Sequence, residues 1–504
     1  MLRLSVLLGL TAAAIAVARL LSIGRRPKNY PPGPPTLPLL GNIHQMPKRD
    51  AHLQFAKWAK EYGPVYSLIL GTQCLIVLSS DEAVKALLDK KSGIYSHRQE
   101  MYIGQEVCSG GLRLLMMGYG PKWRGFRKMV HGLLNVTTSK SYVVYQTLEN
   151  KQMLYEFLTE PDRFLYHIRR YSNALTTTMV FGWRTPTYED AKMKQLFDGF
   201  SEFAEINQTG AAALIDFFPW LRNLPDFLLP LHKKAKDLHK HEKALYLGHW
   251  LKAKDDIRRG TIKPCFCVGM AEAQKSEGFD DDQAAYISGT LLEAGSDTTS
   301  STLYAFVQAM LLYPEIQRRA QKEIDEVVRA DRMPNMDDQD SLQYIRAIMK
   351  ETLRWMPTTI LGVVPHAVTQ DDHYMGYLIG KGAGVMNNVW GIHHDEKHHP
   401  SLASSIQSAT STITRALANP PPTLTAPSVI NSPSALVAVS ALGRPIIPDP
   451  DRLTQGFVCM PEEFPAKITP RSKARADFVT REWKEAEKAC LDPQSKQWLL
   501  HPLE

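Results

Sequence analysis

A chain of 504 residues with 44% hydrophobic and 22% charged residues has enough apolar sequence to bury a large core, which excludes a disordered or fibrous protein. The net charge of +7 is modest for this length, and the basic residues form no long block or stripe, so nucleic acid is not expected as a partner. Six scattered cysteines, Cys74, Cys108, Cys265, Cys267, Cys459 and Cys490, lack the spacing of a zinc site or a disulfide framework and suit a reducing compartment.

The chain opens on an apolar run from Leu4 to Ile23, broken by Arg19 and small polar residues. About 20 residues of helix cross a bilayer core, and an arginine near the end can snorkel to the headgroups. Arg25, Arg26 and Lys28 follow, and the positive-inside rule places them in the cytoplasm. The reading is a single-pass anchor over 1–24, with the rest of the chain on the cytoplasmic side of the endoplasmic reticulum. A cleaved signal ending near Ala14-Ile15-Ala16 is the competing reading. A basic, proline-rich linker spans 25–49, its Pro31-Pro32-Gly33-Pro34-Pro35 stretch stiff enough to hold a domain off the membrane. One domain then runs over 50–504. The sequons at Asn135 and Asn207 stay unmodified if that domain faces the cytoplasm.

From residue 50 to 390 the pattern is mainly helical with small β-sheets. Ala51 to Tyr62 has helical periodicity. Val65 to Leu70 and Cys74 to Leu78 form a hairpin turned at Gly71-Thr72. Ser80-Asp81-Glu82 caps a helix reaching about Lys90. Ala211 to Leu231 is strongly apolar and reads either as buried core or as a substrate entrance that dips into a membrane. Lys233 to Lys243 is a basic, solvated helix face. The longest helical pattern runs from Asp280 to Leu312, with Asp280, Asp281 and Asp282 at the dipole's positive end. Pro314 starts another helix, Glu315 to Val328.

Three constellations carry chemistry. Ala294-Gly295-Ser296-Asp297-Thr298-Thr299 puts a glycine and small alcohols inside the long helix, where they weaken it. Such a patch serves either close ligand approach and proton relay or a tight helix–helix contact. Glu351 and Arg354, three residues apart, lie on one helix face and can pair. Trp123 and Arg127, four apart, place an aromatic donor and a guanidinium together, fit to grip a ligand carboxylate or to form a half-buried amphipathic face.

In this order, behind a proline-rich anchor, these residues resemble the cytochrome P450 family: A-G-x-D/E-T-T/S at Ala294 to Thr299, E-x-x-R at Glu351 and Arg354, W-x-x-x-R at Trp123 and Arg127. The stretch Pro357 to Pro365, then His366, is similar to the family's pocket-lining strand, and the wording from Asn388 to His393 is similar to fungal members of secondary metabolism. The resemblance implies a heme-thiolate monooxygenase that inserts one oxygen atom into an apolar small molecule, with electrons from an NADPH-dependent flavin reductase. It implies that Asp297 and Thr298 deliver protons and that Ala294 and Gly295 leave room for oxygen. It further implies that Trp123, Arg127 and His366 hold the heme, and that Glu351 and Arg354 support the fold.

The resemblance also implies a cysteine in F-x-x-G-x-R-x-C-x-G that donates electron density to the iron. No such run occurs, and no cysteine metal ligand is available; Cys459 falls in the later hairpin, Gln455 to Met460. Between Glu396 and Asp449 there is no acidic residue, and the interval 399–447 is rich in Ser, Thr, Ala and Pro, a low-complexity composition. A reading-frame slip accounts for it. Shifted by two bases, codons for Pro400 to Ser411 can spell PQPRVFDPERYL, and those for Val429 to Gly443 can spell DQLTFGAGRRVCPG. Both family motifs emerge in one frame and in the right order, with breaks near His399 and Arg444. The expectation is a cytochrome P450 fold with its heme loop disrupted, heme binding lost and catalysis absent. The alternatives are an active enzyme behind a mis-called coding sequence and a non-catalytic, membrane-bound ligand-binding scaffold.

Overall fold

The computed structural model of the chain describes residues 17–18, 21–133, 142–208, 210–329, 332–397, 437–440 and 448–499. Nearly all of the expected anchor, the sequon at Asn135 and most of 399–447 lie outside these residues. Among the described residues no helix is long and apolar enough to cross a membrane.

Helix α1, Ala51–Tyr62, leads into strands β1, Val65–Leu70, and β2, Gln73–Leu78, which pair antiparallel with Leu70 opposite Gln73. The expected hairpin is present, one residue longer in its second strand. Ser80 accepts from the Ala83 N–H and starts a helix, Asp81–Val84, which continues as π-type turns over Lys85–Asp89. Strand β3 is His97–Arg98. Then come α2, Pro121–Leu133; α3, Val143–Thr159; α4, Phe164–Phe181; α5, Ala191–Gln208; α6, Gly210–Phe217; and α7, Pro230–Arg259. Helix α8, Phe266–Glu277, precedes α9, Asp281–Leu312, then α10, Pro314–Val327, and α11, Gln343–Trp355. Strands β4, His366–Ala367, β5, Asp372–Tyr374, β6, Tyr377–Ile379, and β7, Gly384–Asn387, are followed by the short α12, Val389–His393. Strand β8, Val437–Ser440, pairs antiparallel with β9, Lys467–Pro470, and α13, Lys473–Cys490, comes last. The main sheet has the order β1-β2-β7-β4-β3, with β2 and β7 parallel.

Helix α9 is the axis of the molecule. Its cap, Asp280, accepts from the Gln283 N–H at 2.7 Å. Its first half packs Ala284, Tyr286 and Ile287 into a core with α2, α7 and α8. Its second half packs Leu303, Tyr304, Phe306 and Met310 into another with α3, α4, α10 and α11. Each such side chain stabilises the fold by roughly 1.5–3 kcal/mol on burial. Residues 448–499 complete the second core: Tyr304 stacks between Phe164 and Phe464, and its hydroxyl accepts from the Phe464 N–H at 3.1 Å.

The apolar stretch Ala211 to Leu231 is part buried and part exposed. Ala212, Ile215 and Phe218 are buried, whereas Trp220, Phe227 and Leu228 are exposed, Phe227 by 81%. Phe218 sits against Gly71 in the β1–β2 turn, and the Gly71 carbonyl accepts from the Gly24 N–H at 3.2 Å, so the exposed apolar edge adjoins the chain's emergence from its apolar N-terminus. The basic stretch Lys233 to Lys243 lies in α7, with Lys233, Lys236 and Lys240 exposed and Ala235 and Leu238 buried.

Candidate functional site: the middle of the long helix

The small residues of α9 serve two faces. A Cβ on Gly295 would come within 2.6 Å of the Thr176 hydroxyl, so the missing side chain lets α9 lie close against α4. Ser296 continues that face: its carbonyl accepts from Ser172 at 2.7 Å, and its hydroxyl accepts from the Asn173 amide. Ala294, by contrast, is exposed although it lies mid-helix, and Thr298, one turn on, hydrogen-bonds the Ala294 carbonyl at 2.6 Å. An exposed alanine thus stands between buried Glu293 and Ser296. Asp297 lies between these faces. Burial pushes its carboxyl up to about 6, against the downward pull of Arg169 on α4. Such a group can exchange a proton near neutral pH.

Behind this wall is a charged cluster that the sequence did not announce. Arg113 is 4% exposed and donates to both Glu242 on α7, at 2.5 Å, and Glu293 on α9. The Tyr246 hydroxyl donates to Glu293 as well. Burial pushes the Glu242 carboxyl up to about 8 despite the guanidinium, with Glu293 adding to the rise, and Glu242 Oε1 has no partner. The signal for Glu293 is a lone charge following the apolar turn Leu291-Leu292 inside the long helix. Nothing in the chain's order pairs it with Arg113. The Arg113 guanidinium lies over the Phe203 ring, 4.3 Å from its centre, and Phe203 meets Phe457 of the hairpin closed by Leu453 and Pro461.

The other singled-out residues are placed as follows. Trp123 is half-buried and packs on Tyr119, while Arg127, on the same helix α2, is exposed. His366 lies in β4 opposite Arg98, its Nδ1 buried without a partner; burial, then the Arg98 charge, pushes its imidazole down to about 4. Glu351 and Arg354 form a two-bond pair on α11, and Arg354 also donates to the His393 carbonyl, tying α11 to α12. Asn207, the second sequon, donates to the Phe203 carbonyl at 2.8 Å and lies against Gly104, so it is engaged inside the fold.

The described residues do not fit a heme. His366 leaves a buried ring nitrogen of the kind a carboxylate-bearing ring could engage, but the group would also need a cysteine thiolate to hold its iron, and the sequence offers no F-x-x-G-x-R-x-C-x-G run. Cys459, near enough to Asp297 to feel its charge, has its thiol pushed up to about 12 by burial and donates to the Gly456 carbonyl at 3.4 Å. Its place in the hairpin Gln455–Met460, with the sulfur turned to its own backbone, is not the cysteine setting that the family motif requires. Among the described residues no three histidine, cysteine or acidic side chains gather to hold a metal.

A long axial helix carrying A-G-x-D-T-T, crossed by an E-x-x-R helix and flanked by small sheets, defines a class: the Cytochrome P450 profile matches residues 31–401, and the chain belongs to the cytochrome P450 family. It is 47% identical to the cytochrome P450 monooxygenase virE of Hypocrea virens, over 99% of this chain and 95% of that one. It is 44% identical to the cytochrome P450 monooxygenase fogE of Aspergillus ruber, over 94% and 93%. In fold it resembles a zebra fish cytochrome P450 solved with abiraterone, with a TM-score of 0.64 at 20% identity, covering 84% of this chain and all of that one.

Proposed function

We propose that this chain derives from a membrane-anchored monooxygenase of secondary metabolism that oxidises an apolar small molecule, and that the polypeptide as written is catalytically inactive. The observation that carries this reading is the lost thiolate. No F-x-x-G-x-R-x-C-x-G run exists, the family match ends at residue 401 where the Ser/Thr/Ala/Pro-rich interval begins, and Cys459 falls outside any such motif, in the later hairpin. In the parent enzyme, heme would supply oxygen activation. Asp297 and Thr298 would hold and pass protons, Trp123, Arg127 and His366 would grip the carboxylates of the ring, and a reductase carrying flavins would feed electrons drawn from NADPH.

The anchor over Leu4 to Ile23 and the exposed Trp220, Phe227 and Leu228 beside the Gly24–Gly71 contact support a membrane-facing edge, with the domain on the cytoplasmic side of the endoplasmic reticulum. The decisive measurement is the spectrum of the purified, reduced, carbon-monoxide-treated chain. The expected outcome is no red-shifted thiolate band. A strong band at one heme per chain would refute inactivity. Replacing 399–444 by the frame-restored sequence is expected to return the band.

A second reading, an intact enzyme behind a mis-called coding sequence, draws on residues 448–499, which rejoin the core through Tyr304 and Phe464 as an uninterrupted frame would. Transcript sequencing across codons 395 to 450 decides between the two. Ligand-induced thermal stabilisation without heme would instead favour the non-catalytic scaffold.

A further inference from the structure

Away from the middle of α9, a cavity of about 460 Å³ opens between the first turns of α2 and the turn joining α8 to α9. That volume lies within the ~300–1,000 Å³ of small-molecule sites. Its floor is apolar: Leu112, Phe126 and Phe279 line it, the two rings meeting edge to face at 5.5 Å. Gly125 leaves the α2 wall bare. A Cβ there would lie 3.7 Å from Glu277 Oε2, so this carboxylate reaches across to the α2 face.

The carboxylates of the lining draw positive charge against the positive ends of α2 and α9, of which the latter is already met by the Asp280 cap. Glu277 is the last residue of α8, where the unpaired carbonyls carry the negative end of the helix dipole. A carboxylate there is repelled by its own helix, and a cation relieves both. Asp280 adds a second carboxylate beyond Gly278. Gln283, 2% exposed, spends its amide N–H on the Leu112 carbonyl at 3.2 Å, while its Oε1 is buried with no donor. The single cation of the lining, Lys122, stands exposed at the rim, 5.9 Å from the centre of the Phe126 ring.

We propose that this cavity binds a small amphipathic ammonium, its apolar body on Phe126 and Phe279 and its charge at the C-terminal end of α8 beside Glu277. The site needs no heme, so it is present in the chain as written. Its occupant joins α2 to the α8–α9 turn and raises the melting temperature.

The test is calorimetric titration and thermal melting of the full chain with phenethylammonium, 2-phenylethanol and 3-phenylpropionate, which share an apolar body and differ in charge. Saturable binding of the ammonium is expected at millimolar concentration or below, with the alcohol about fivefold weaker, as a partly exposed charge pair of about 1 kcal/mol implies. The propionate is expected not to bind. Glu277→Gln should bring the ammonium down to the alcohol's affinity. Gly125→Leu, which fills the cavity from ordinary helical backbone, should abolish binding of both. Equal binding of ammonium and alcohol, no saturable ammonium binding, or full affinity in Gly125→Leu overturns the proposal. If the leucine variant fails to fold, the Glu277→Gln comparison still decides it.

Discussion

Two buried charge clusters in this molecule are built to opposite balances. Between α3 and α4, Glu149 takes Arg170 at 2.5 Å and Arg184 at 2.6 Å, and Glu156 takes Arg170 again at 2.9 Å. Between α7 and α9, one guanidinium, Arg113, serves two carboxylates, Glu242 and Glu293. Burial penalises Glu149, yet Arg184 and Arg170 outweigh it and hold its carboxyl below the usual range. The same burial wins at Glu242 and drives its carboxyl upward. Desolvation alone therefore does not set the charge of a buried acid; the guanidiniums in reach weigh against it.

Removing the balanced cluster's hub should have the largest effect. Glu149→Ala leaves Arg184 without a carboxylate and Arg170 with one, both in the core. A loss of about 3–5 kcal/mol is expected in denaturant unfolding. Arg113→Met should cost less, about 2–3 kcal/mol, because Glu242 can meet the loss by keeping its proton. A cost equal to that of Glu149→Ala would break the contrast.

The smallest effect is a slope. Glu242 titrates higher in the folded chain than in the unfolded one, so its contribution is complete below the ordinary glutamate value and declines as pH rises towards about 8. Glu149 runs the other way, its stabilisation present above the ordinary value and lost as pH falls through the folded one. Glu242→Gln should therefore flatten the fall in stability between pH 5 and 8, by at most about 1.4 kcal/mol per pH unit. An unchanged slope would mean that Glu242 is ionised throughout.

Local grammar was legible in the chain. The acidic start of α9, its end before Pro314, the bounds of α1 and the pairing of Glu351 with Arg354 each follow from neighbours within a few residues. The helical extension over Lys85–Asp89 was legible, but its widening into π-type turns was not. The buried clusters were not legible, since Arg113 and Glu242 stand 129 positions apart and meet only because the segment leading into the turn Leu114–Met116 packs where α7 and α9 lie side by side. Gly295 was ambiguous for the same reason: whether its bare face admits a ligand or a helix depends on Thr176 of α4, 119 residues earlier in the numbering.

The last turns of the chain have a temporal consequence. The Arg184 guanidinium donates to the Lys496 carbonyl and the Arg184 N–H to the Gln497 side-chain oxygen, and the Gln497 amide in turn donates to the Arg184 carbonyl. The Glu149 cluster is thus covered at Arg184 by residues 312 and 313 positions further along the chain, and a nascent chain holds that arginine uncovered until they have been made. Any message that stops early, including one halted within 399–447, yields a product whose centre stays open to water and to the cell's proteolytic surveillance.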